Sequence, residues 1–284
     1  MNIPKSHPRY LSLVTREKLV DGFDNNLVAK EGLLAHGRGE AFDYLIGEKT
    51  TKSAKNAIKA AAFMLNQAQN SVISVNGNFA ALCPKEIIQL AKATNSKIEV
   101  NLFYSSEKRK KGISNILKKS GAKEVLGLNK KNSTKLKGID SARRIVDKDG
   151  IFSADLVLVP LEDGDRTIAL KKAKKKVITF DLNPLSRTAQ TADVTIVDNV
   201  TRAMKLLVSE SKKSKRNITF DLNPLSRTAQ TADVTIVDNV TRAMKLLVSE
   251  SKKSRKKVTF DNKKNLKSAI LEIRKNLERR AKNA

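Results

Sequence analysis

Residues 177–199 carry the densest set of potential ligand-binding side chains in the chain. Two short apolar segments, Val177–Phe180 and Val194–Val197, each end in polar residues. β-Branched and aromatic residues favour strands, and turn residues stop them. The residues that follow the two predicted strands are Asp181, Leu182, Asn183, Ser186, Arg187, Thr188, Asp198 and Asn199.

These side chains suit a ligand with hydroxyl, amine and phosphate groups. The oxygens of Asp181 and Asn183 can accept hydrogen bonds from ribose or amine hydrogens, and the forked guanidinium of Arg187 suits phosphate or carboxylate. Side chains that follow parallel strands lie at the carboxyl edge of the sheet, where open α/β proteins bind ligands. Taken singly, each motif is equally compatible with a turn or a helix N-cap. Their combination favours a binding site.

A second candidate site lies at residues 36–40 (HGRGE), where Arg38 stands between two glycines and close to His36. Glycines let a backbone approach a ligand and leave room around a guanidinium, which suits phosphate binding. The alternative is a glycine-rich turn between two helices. Arg16, in a predicted helix upstream, is either a further anion ligand or a solvated charge. The GxGxxG and GxxxxGK patterns are absent here, so neither a dinucleotide fingerprint nor a P-loop is indicated.

Two further polar loops follow predicted strands, at residues 76–78 (Asn-Gly-Asn) and 162–166 (Glu-Asp-Gly-Asp-Arg). Three carboxylates in four positions suit Mg²⁺ if phosphate is near. The alternative is an acidic turn that caps a helix, with Asp165 as the cap. Cys83, next to a proline, is interpreted as a small buried residue because no nucleophile set accompanies it.

The elements that would position these groups alternate between helix and strand. After residue 50, periodicity and composition predict helices at 52–69, 84–93, 107–119, 141–147, 167–174 and 200–208, and strands at 72–75, 98–104, 125–128, 155–161, 177–180 and 194–197. This alternation predicts an α/β fold with a doubly wound, mostly parallel, Rossmann-like sheet. Helices precede it, and a basic C-terminal helix with Leu266, Ile270, Ile273 and Leu277 at helical spacing follows it.

Residues 178–214 recur letter for letter as residues 218–254, and residues 258–261 begin a third copy that stops. Identity without drift indicates a recent duplication or a sequence-assembly error rather than an old repeat architecture. We expect one copy to occupy the native position, and we favour the first because it follows residues 155–165 at ordinary loop spacing. The predicted divisions are 1–50 (helical), 51–214 (catalytic α/β), 215–254 (duplicated copy) and 255–284 (basic helix).

Composition narrows the class of protein. The formal net charge is +27, from 56 Lys and Arg against 29 Asp and Glu. Residues 252–284 hold thirteen of these cations against three anions. Much of the remaining excess is lysine spread over predicted helix surfaces, and no zinc-finger, RNP or KH pattern is present, so specific nucleic-acid binding is not predicted. One cysteine and no signal peptide or long apolar run lead us to expect a soluble cytoplasmic protein with no membrane association.

Several ordered strings resemble one known family. They are IPKSHPRY, REKLVDG, GLLAHGRGEAFDYLIGE, VISVNGN, IEVNLFY, LVLVPLEDGDR, DLNPLSRTA and TIVDN. Together they resemble the archaeal phosphopantothenate synthetases, also called 4-phosphopantoate–β-alanine ligases, from about Ile3 to the helix after Asn199. The resemblance implies coenzyme A biosynthesis. ATP would activate the carboxylate of 4-phosphopantoate, as an acyl-adenylate, and β-alanine would then form the amide. It also implies a homodimer.

The resemblance further implies a nucleotide site at Arg16, Arg38, Asp181, Leu182, Asn183, Arg187, Thr188, Asp198 and Asn199. We expect Arg38, His36 and Arg187 to be the catalytic residues, with His36, Asn76 and Arg166 near the acyl substrate. ATP is the expected co-substrate, with Mg²⁺. No protein metal ligands are assigned. The second copy contains the same motif and is therefore an alternative location for part of this site, at Asp221, Asn223, Arg227, Thr228, Asp238 and Asn239.

Two other functions compete with the ligase. The charge suits a basic nucleic-acid-associated α/β protein, whose binding would have to survive physiological salt. The duplication suits an inactive paralogue, whose activity would return when the extra copy is removed.

Overall fold

The computed structural model describes residues 3–161, 163–214, 218–220, 234–236 and 260–282. The second-copy candidates Asp221, Asn223, Arg227, Thr228, Asp238 and Asn239, and Glu162 of the acidic loop, lie outside these residues. The helices are α1 (Tyr10–Asp24), α2 (Lys30–Ile46), α3 (Lys52–Gln67), α4 (Gly77–Leu82), α5 (Pro84–Thr94), α6 (Glu107–Lys119), α7 (Gly164–Lys172), α8 (Arg187–Thr191), α9 (Val200–Ser214) and α10 (Asn262–Lys282).

A five-stranded parallel sheet forms the centre of the molecule. Its strands are β1 (Ser71–Val75), β2 (Lys97–Val100), β5 (Leu156–Pro160), β6 (Lys176–Phe180) and β7 (Val194–Ile196), in the order β2-β1-β5-β6-β7. The chain reverses direction across the sheet between β1 and β5, which is the switch point at which doubly wound sheets bind ligands. The prediction of a doubly wound, mostly parallel α/β fold is confirmed.

Both faces of the sheet are covered, which explains why its strands are apolar throughout. Neighbouring residues on one strand point to opposite faces. Ile73 packs in the larger hydrophobic cluster with α3, α5 and α9, and Val72 packs in the smaller cluster with α7. Cys83 is buried in the larger cluster, as predicted, and burial raises the pKa of its thiol to about 12.

Three predicted elements differ in the structure. The predicted helix at 141–147 is instead a short 3-10 turn, 142–144, followed by β4 (Ile145–Asp147), which pairs antiparallel with β3 (Ser133–Lys135). Only three residues separate Ser141 from the β-branched pair at 145–146, and such a pair favours a strand. The predicted strand at 125–128 contributes only one bridge, between Leu126 and Glu99. The strand predicted at 98–104 ends at Val100.

The glycine-rich turn considered for residues 36–40 is wrong, because these residues lie inside α2. Glycine costs about 1 kcal/mol in a helix interior relative to alanine, so a packing reason is needed. At Gly39 a β-carbon would stand 3.4 Å from Leu182 Cδ1. At Gly32 it would stand 2.3 Å from Asn78 Oδ1. Gly32 therefore lets α2 lie close against Asn78 at the carboxyl edge of the sheet, whereas a β-carbon at Gly39 would make only an ordinary van der Waals contact.

The first of the two identical copies supplies β6, β7 and α9. The residue immediately before each copy explains why the first copy, and not the second, enters the five-stranded sheet. Val177 is fully buried next to β5, whereas the corresponding residue before the second copy is Asn217. In the second copy, β8 (Ile218–Phe220) and β9 (Val234–Ile236) pair parallel with each other in the register that β6 and β7 use.

Helix α10 docks on the body of the protein. Asn262 accepts a hydrogen bond from the Thr195 amide (2.9 Å) and donates to the carbonyls of Ala189 (3.0 Å) and Ala192 (2.9 Å), so it closes the outer edge of β7. Asn276 donates to the Leu45 carbonyl of α2 (2.8 Å). The buried face differs from the predicted apolar stripe: Leu266 is buried, but Ile270 and Leu277 are exposed.

Deleting residues 215–254 should leave a folded protein, because the deletion removes no residue of the five-stranded sheet or of α10. It shortens the connection between α9 and Phe260 from 45 residues to five. Loop-closure entropy then favours the folded state by about 2 kcal/mol. Urea unfolding of the full-length and shortened chains measures this difference. A lower free energy of unfolding in the shortened chain would contradict it.

A matched variant tests the reason for the preference. In the shortened chain, Val177→Asn reproduces the residue that precedes the second copy. Burying an amide in an apolar cluster without a designed partner should lower the free energy of unfolding by about 2–4 kcal/mol. If Val177→Asn is neutral, position 177 does not decide which copy enters the sheet.

Candidate functional site

A cavity of about 670 Å³ lies over the carboxyl edge of the sheet, between the strand ends and α2. Its floor comes from the residues that follow β1, β2, β5 and β6, and from the first residues of α8 and α9. Because five neighbouring strands end at the same edge, side chains distant in sequence meet there. Of the predicted site residues, the cavity is lined by His36, Arg38, Asn76, Asp181, Leu182, Asn183, Arg187, Thr188 and Asn199.

The lining residues that follow β6 and β7 form one group, the β6–β7 cluster: Asp181, Leu182, Asn183, Ser186, Arg187, Thr188 and Asn199. Asp181 organises this cluster. Its carboxylate accepts hydrogen bonds from Ser186 Oγ and from the Asn183 amide (2.9 Å). Ser186 in turn caps α8 through the Ala189 amide (2.9 Å). Burial raises the pKa of Asp181, and these two hydrogen bonds oppose the shift.

Arg187 extends from the first position of α8 across the mouth of the cavity. Its guanidinium is exposed and pairs with the equally exposed Asp165 at 2.8 Å. Gly164 makes room for it, since a β-carbon there would stand 2.6 Å from Arg187 Cβ. Exposed ion pairs contribute about 0–1 kcal/mol, so this pair is weak enough to open when an anion competes for the guanidinium.

Asp198 is fully buried and does not line the cavity. Its carboxylate accepts hydrogen bonds from Arg202 (2.7 Å) and from Thr50 Oγ1 (2.6 Å). Arg202 also donates twice to Asp43 of α2 (2.5 and 3.0 Å), and Asn199 Nδ2 donates to the same carboxylate (3.1 Å). We call Asp43, Asp198, Asn199 and Arg202 the α2 clamp. It fixes α2 to the end of β7.

Of the three N-terminal candidates, Arg38 and His36 line the cavity and Arg16 does not. Arg38 is exposed and lines the cavity. Arg16 is not among the lining residues, because its guanidinium donates to Glu40 Oε2 (2.5 and 2.9 Å). His36 lines the cavity, and among the described residues its buried Nε2 has no hydrogen-bond partner. Burial lowers the pKa of His36, so the imidazole is neutral at pH 7.

The structure adds lining residues that the sequence analysis did not propose. They are Tyr104 and Arg109, which follow β2, and Arg143, which follows β3. With Asn76 and Asn78, which follow β1, they form the β1–β2 cluster. Arg109 stands in a lysine-rich helix and Arg143 in the segment predicted as helix at 141–147, so neither position carried a recognisable signal. Arg166, expected near the acyl substrate, is fully buried beneath the cavity and donates to Ser74 Oγ (3.1 Å). The cap of α7 is Asp163 rather than Asp165.

The fold and site define an α/β protein with an arginine-lined cavity at the switch point of a doubly wound sheet. The profile of the phosphopantothenate/pantothenate synthetase family matches residues 53–216 and 210–276. The chain belongs to this family. The second match contains the second copy and most of α10, so the likeness extends beyond the limit that the sequence motifs indicated.

Curated relatives agree with this assignment. A protein of Thermococcus kodakarensis named 4-phosphopantoate–beta-alanine ligase is 54% identical over 214 residues, which cover 75% of this chain and 81% of the relative. Proteins with the same name from Methanosarcina mazei (53%; 72% and 79% covered) and Methanospirillum hungatei (54%; 71% and 82% covered) are equally similar.

None of the described helices combines the length and apolarity that a bilayer span requires. The described residues contain no group of three or more His, Cys, Asp or Glu side chains placed to hold a metal ion.

Replacing Arg202 with Met should destabilise the protein by about 3–5 kcal/mol, because it leaves two buried carboxylates without their cation. Burial raises the pKa of Asp198 even with Arg202 present, and removing Arg202 raises it further. A raised folded-state pKa means that stability is lost as pH rises through it. The loss should therefore be larger at pH 7 than at pH 5, which denaturant unfolding at both values measures.

The matched control is Arg274→Met, which removes an exposed guanidinium paired with Glu278 at 2.9 Å. It should change stability by less than about 1 kcal/mol. Equal effects of the two substitutions, or a loss at Arg202 that does not depend on pH, would show that the α2 clamp does not hold α2.

Proposed function

We propose that this protein is an ATP-dependent ligase that condenses 4-phosphopantoate with β-alanine to give 4′-phosphopantothenate, in coenzyme A biosynthesis. The observation that carries the proposal is 54% identity over 214 residues to a relative of that name. The four arginines that line the cavity, Arg38, Arg109, Arg143 and Arg187, support it independently, because ATP, 4-phosphopantoate and the released diphosphate are all polyanions. The scattered lysines alone would favour only weak, salt-sensitive nucleic-acid adhesion.

We infer an adenylate mechanism. A carboxylate oxygen of 4-phosphopantoate attacks the α-phosphorus of ATP, a P–O bond to the β-phosphate breaks, and diphosphate leaves. The amine of β-alanine then attacks the acyl carbon, the amide forms, and AMP leaves. The protein contributes mainly by holding carboxylate and phosphorus in line and by neutralising charge.

The roles we assign follow the positions of the side chains. Arg38 on α2 and Arg187 on α8 face the cavity from opposite sides, which suits cations that hold the phosphates of ATP. Thr188 adds a hydroxyl beside Arg187. Asp181 and Asn183 suit the ribose or the adenine edge, and Leu182 supplies an apolar contact.

Three other nucleotide-site residues have different surroundings. Arg16 holds Glu40, so it would reach a phosphate only by leaving that carboxylate. Asn199 faces the cavity directly. Asp198 would act by orienting Asn199, whose backbone amide donates to its carboxylate (2.8 Å).

His36 suits proton transfer in the second step. The amine of β-alanine must lose its proton before or as it attacks the acyl carbon, and a neutral imidazole nitrogen can accept it. Burial lowers the pKa of His36, which keeps Nε2 available as an acceptor at pH 7.

We also propose Mg²⁺, a homodimer and a cytoplasmic location. Mg²⁺ in ATP-dependent enzymes is held largely by substrate phosphates and water, and this suits a cavity whose described residues include no metal-binding group. The exposed Leu11 and Leu34 on α1 and α2 would be covered in a dimer. A single, buried cysteine suits a reducing compartment.

The reaction itself tests the proposal. AMP and diphosphate should form only when ATP, 4-phosphopantoate and β-alanine are all present, and ¹⁸O in the acyl carboxylate should appear in AMP. Nucleotide analysis and mass spectrometry measure both. Formation of ADP would exclude the adenylate mechanism. No product at all, with recovery after deletion of residues 215–254, would identify the extra copy as inhibitory.

Arg38→Ala should lower kcat/KM by roughly 100- to 1,000-fold, the range seen when one charge-stabilising donor is removed. Thermal stability should stay unchanged because Arg38 is exposed. Arg280→Ala on the exposed side of α10 is the control and should leave the rate unchanged. A near-normal rate for Arg38→Ala would remove this residue from the site.

A further inference from the structure

We propose that the β1–β2 cluster, with Arg143 as its principal cation, binds the phosphate group of the acyl substrate and thereby selects phosphorylated over unphosphorylated pantoate. The inference rests on the proposed function and deepens it. The chain belongs to the phosphopantothenate/pantothenate synthetase family, so a preference for the phosphorylated acid requires a structural determinant.

The two clusters of the cavity lie at different strands: Asn76, Asn78, Tyr104 and Arg109 follow β1 or β2, and the Arg143 guanidinium faces Asp163 after β5. Neighbouring strands stand about 4.8 Å apart, so the ends of β6 and β1 are separated by about 10 Å and those of β6 and β2 by about 14 Å. A nucleotide held by the β6–β7 cluster would leave the β1–β2 cluster free for a second ligand. The carboxylate of that ligand would meet the α-phosphate between the two, near the switch point.

The dimensions of the substrate fit this arrangement. In 4-phosphopantoate, five bonds separate the carboxyl carbon from the phosphorus, a span of roughly 6 Å at bond lengths near 1.5 Å. With the carboxylate at the switch point between β1 and β5, the phosphate would extend towards β1 and β2. The opposite orientation would put two phosphates together at Arg187, which like-charge repulsion disfavours.

Arg143 has the position and the surroundings expected of a residue that binds phosphate. It lines the cavity, its side chain is 9% exposed, and its Nη1 lies 3.7 Å from Asp163 Oδ2. Burial, and next the nearby Arg166, lower the pKa of Arg143 to about 9. A buried guanidinium next to a second buried cation is costly, and a dianionic phosphate would relieve that cost. The forked donor also suits phosphate oxygens geometrically.

Arg109 is placed by the backbone around it. It donates to the Leu27 carbonyl (3.0 Å from Nη2) and to the Tyr104 carbonyl, so its guanidinium is fixed at the cavity wall. Gly77 permits this packing, because a β-carbon there would stand 2.9 Å from Arg109 Nη2 and 2.1 Å from the Leu27 carbonyl oxygen. Arg109 therefore adds a fixed positive charge to the cluster, with the amides of Asn76 and Asn78 beside it.

The local charge balance favours an anion. Arg109, Arg143 and the buried Arg166 are opposed by Asp163 and Glu31 at the cavity. The remaining nearby carboxylate, Glu99, is buried, and burial raises its pKa to about 7, so it is only partly charged at neutral pH. The β1–β2 cluster thus carries net positive charge where the substrate's second anionic group would lie.

The test is calorimetric binding of 4-phosphopantoate, pantoate and ATP, separately and without Mg²⁺, to full-length protein and variants. Arg143→Met should weaken 4-phosphopantoate binding roughly 10- to 150-fold, as expected when a charged hydrogen-bonding partner is lost. Pantoate and ATP should change less than about threefold. Arg143→Lys, which keeps the buried charge but loses the fork, should give an intermediate loss and covers the case that Met does not fold.

Two matched variants distinguish an effect of the Arg143 charge on binding from a general loss of structure. Arg144→Met removes the exposed neighbouring arginine and should leave the affinity for 4-phosphopantoate unchanged. Asp163→Asn keeps the cap of α7, since asparagine is an equally good N-cap, but removes the anion that competes for Arg143. It should bind 4-phosphopantoate as well as or several-fold more tightly than wild type.

The outcomes are distinguishable. Selective weakening of 4-phosphopantoate in Arg143→Met, with no weakening in Asp163→Asn, supports the inference. Unchanged affinity in Arg143→Met, a parallel loss of ATP, or equal losses in Arg143→Met and Asp163→Asn would overturn it. Wild-type protein that binds ATP but neither acid would instead overturn the proposed function.

Discussion

The carboxylate of Asp43 is the buried polar link between α2 and the sheet. It lies on α2, and it accepts hydrogen bonds from Arg202 of α9 and from Asn199 at the end of β7. Asp198 binds the same Arg202 guanidinium. Because Asp43 and Asp198 are buried, each needs the cation. Together with the apolar contacts of Phe42 and Ile46, this arrangement holds α2 above the sheet and so forms the wall of the cavity.

The close approach of α2 also depends on Gly32, where a β-carbon would stand 2.3 Å from Asn78 Oδ1. Gly32 weakens the helix locally, and the α2 clamp and the contact of Asn276 with the Leu45 carbonyl stabilise the helix at its carboxyl end. These contacts hold a segment with little helical preference, HGRGE, in a helix, and they place Arg38 at the cavity.

The sequence predicted the parts of the fold whose signals are local. The β-branched runs at β1, β5, β6 and β7 and the polar residues behind them identified the sheet and its carboxyl edge. The helix predicted at residues 141–147 is absent because so short a segment has no periodicity strong enough to outweigh the pairing of β4 with β3. The β1–β2 cluster was missed for another reason. Arg109 and Arg143 resemble every other basic residue of this lysine-rich chain, and only the topology brings them to one place.

The duplication shows how little sequence identity alone decides about structure. Residues 178–214 and 218–254 have the same local preferences, so the choice between them depends on what flanks them. Before the repeat, Val177 fits the apolar cluster that Asn217 would disturb. After the second copy, Asn262 forms hydrogen bonds at the outer edge of β7. The residue 40 positions earlier in the repeat is Leu222, which has no polar side chain that could form them. The native position is therefore selected by single residues at its borders.

The positive charges of the chain contribute to ligand recognition mainly where their side chains are buried. Lysines at exposed helix surfaces are hydrated and screened, and they contribute little to recognition. Arginines are more weakly hydrated and tolerate burial better, and the structure places Arg143 at the cavity and Arg166 beneath it while most lysines remain outside. The four arginines that line the cavity are matched there by four carboxylates. Binding of a small polyanion at the strand ends therefore depends on where each arginine lies rather than on the net charge of the chain.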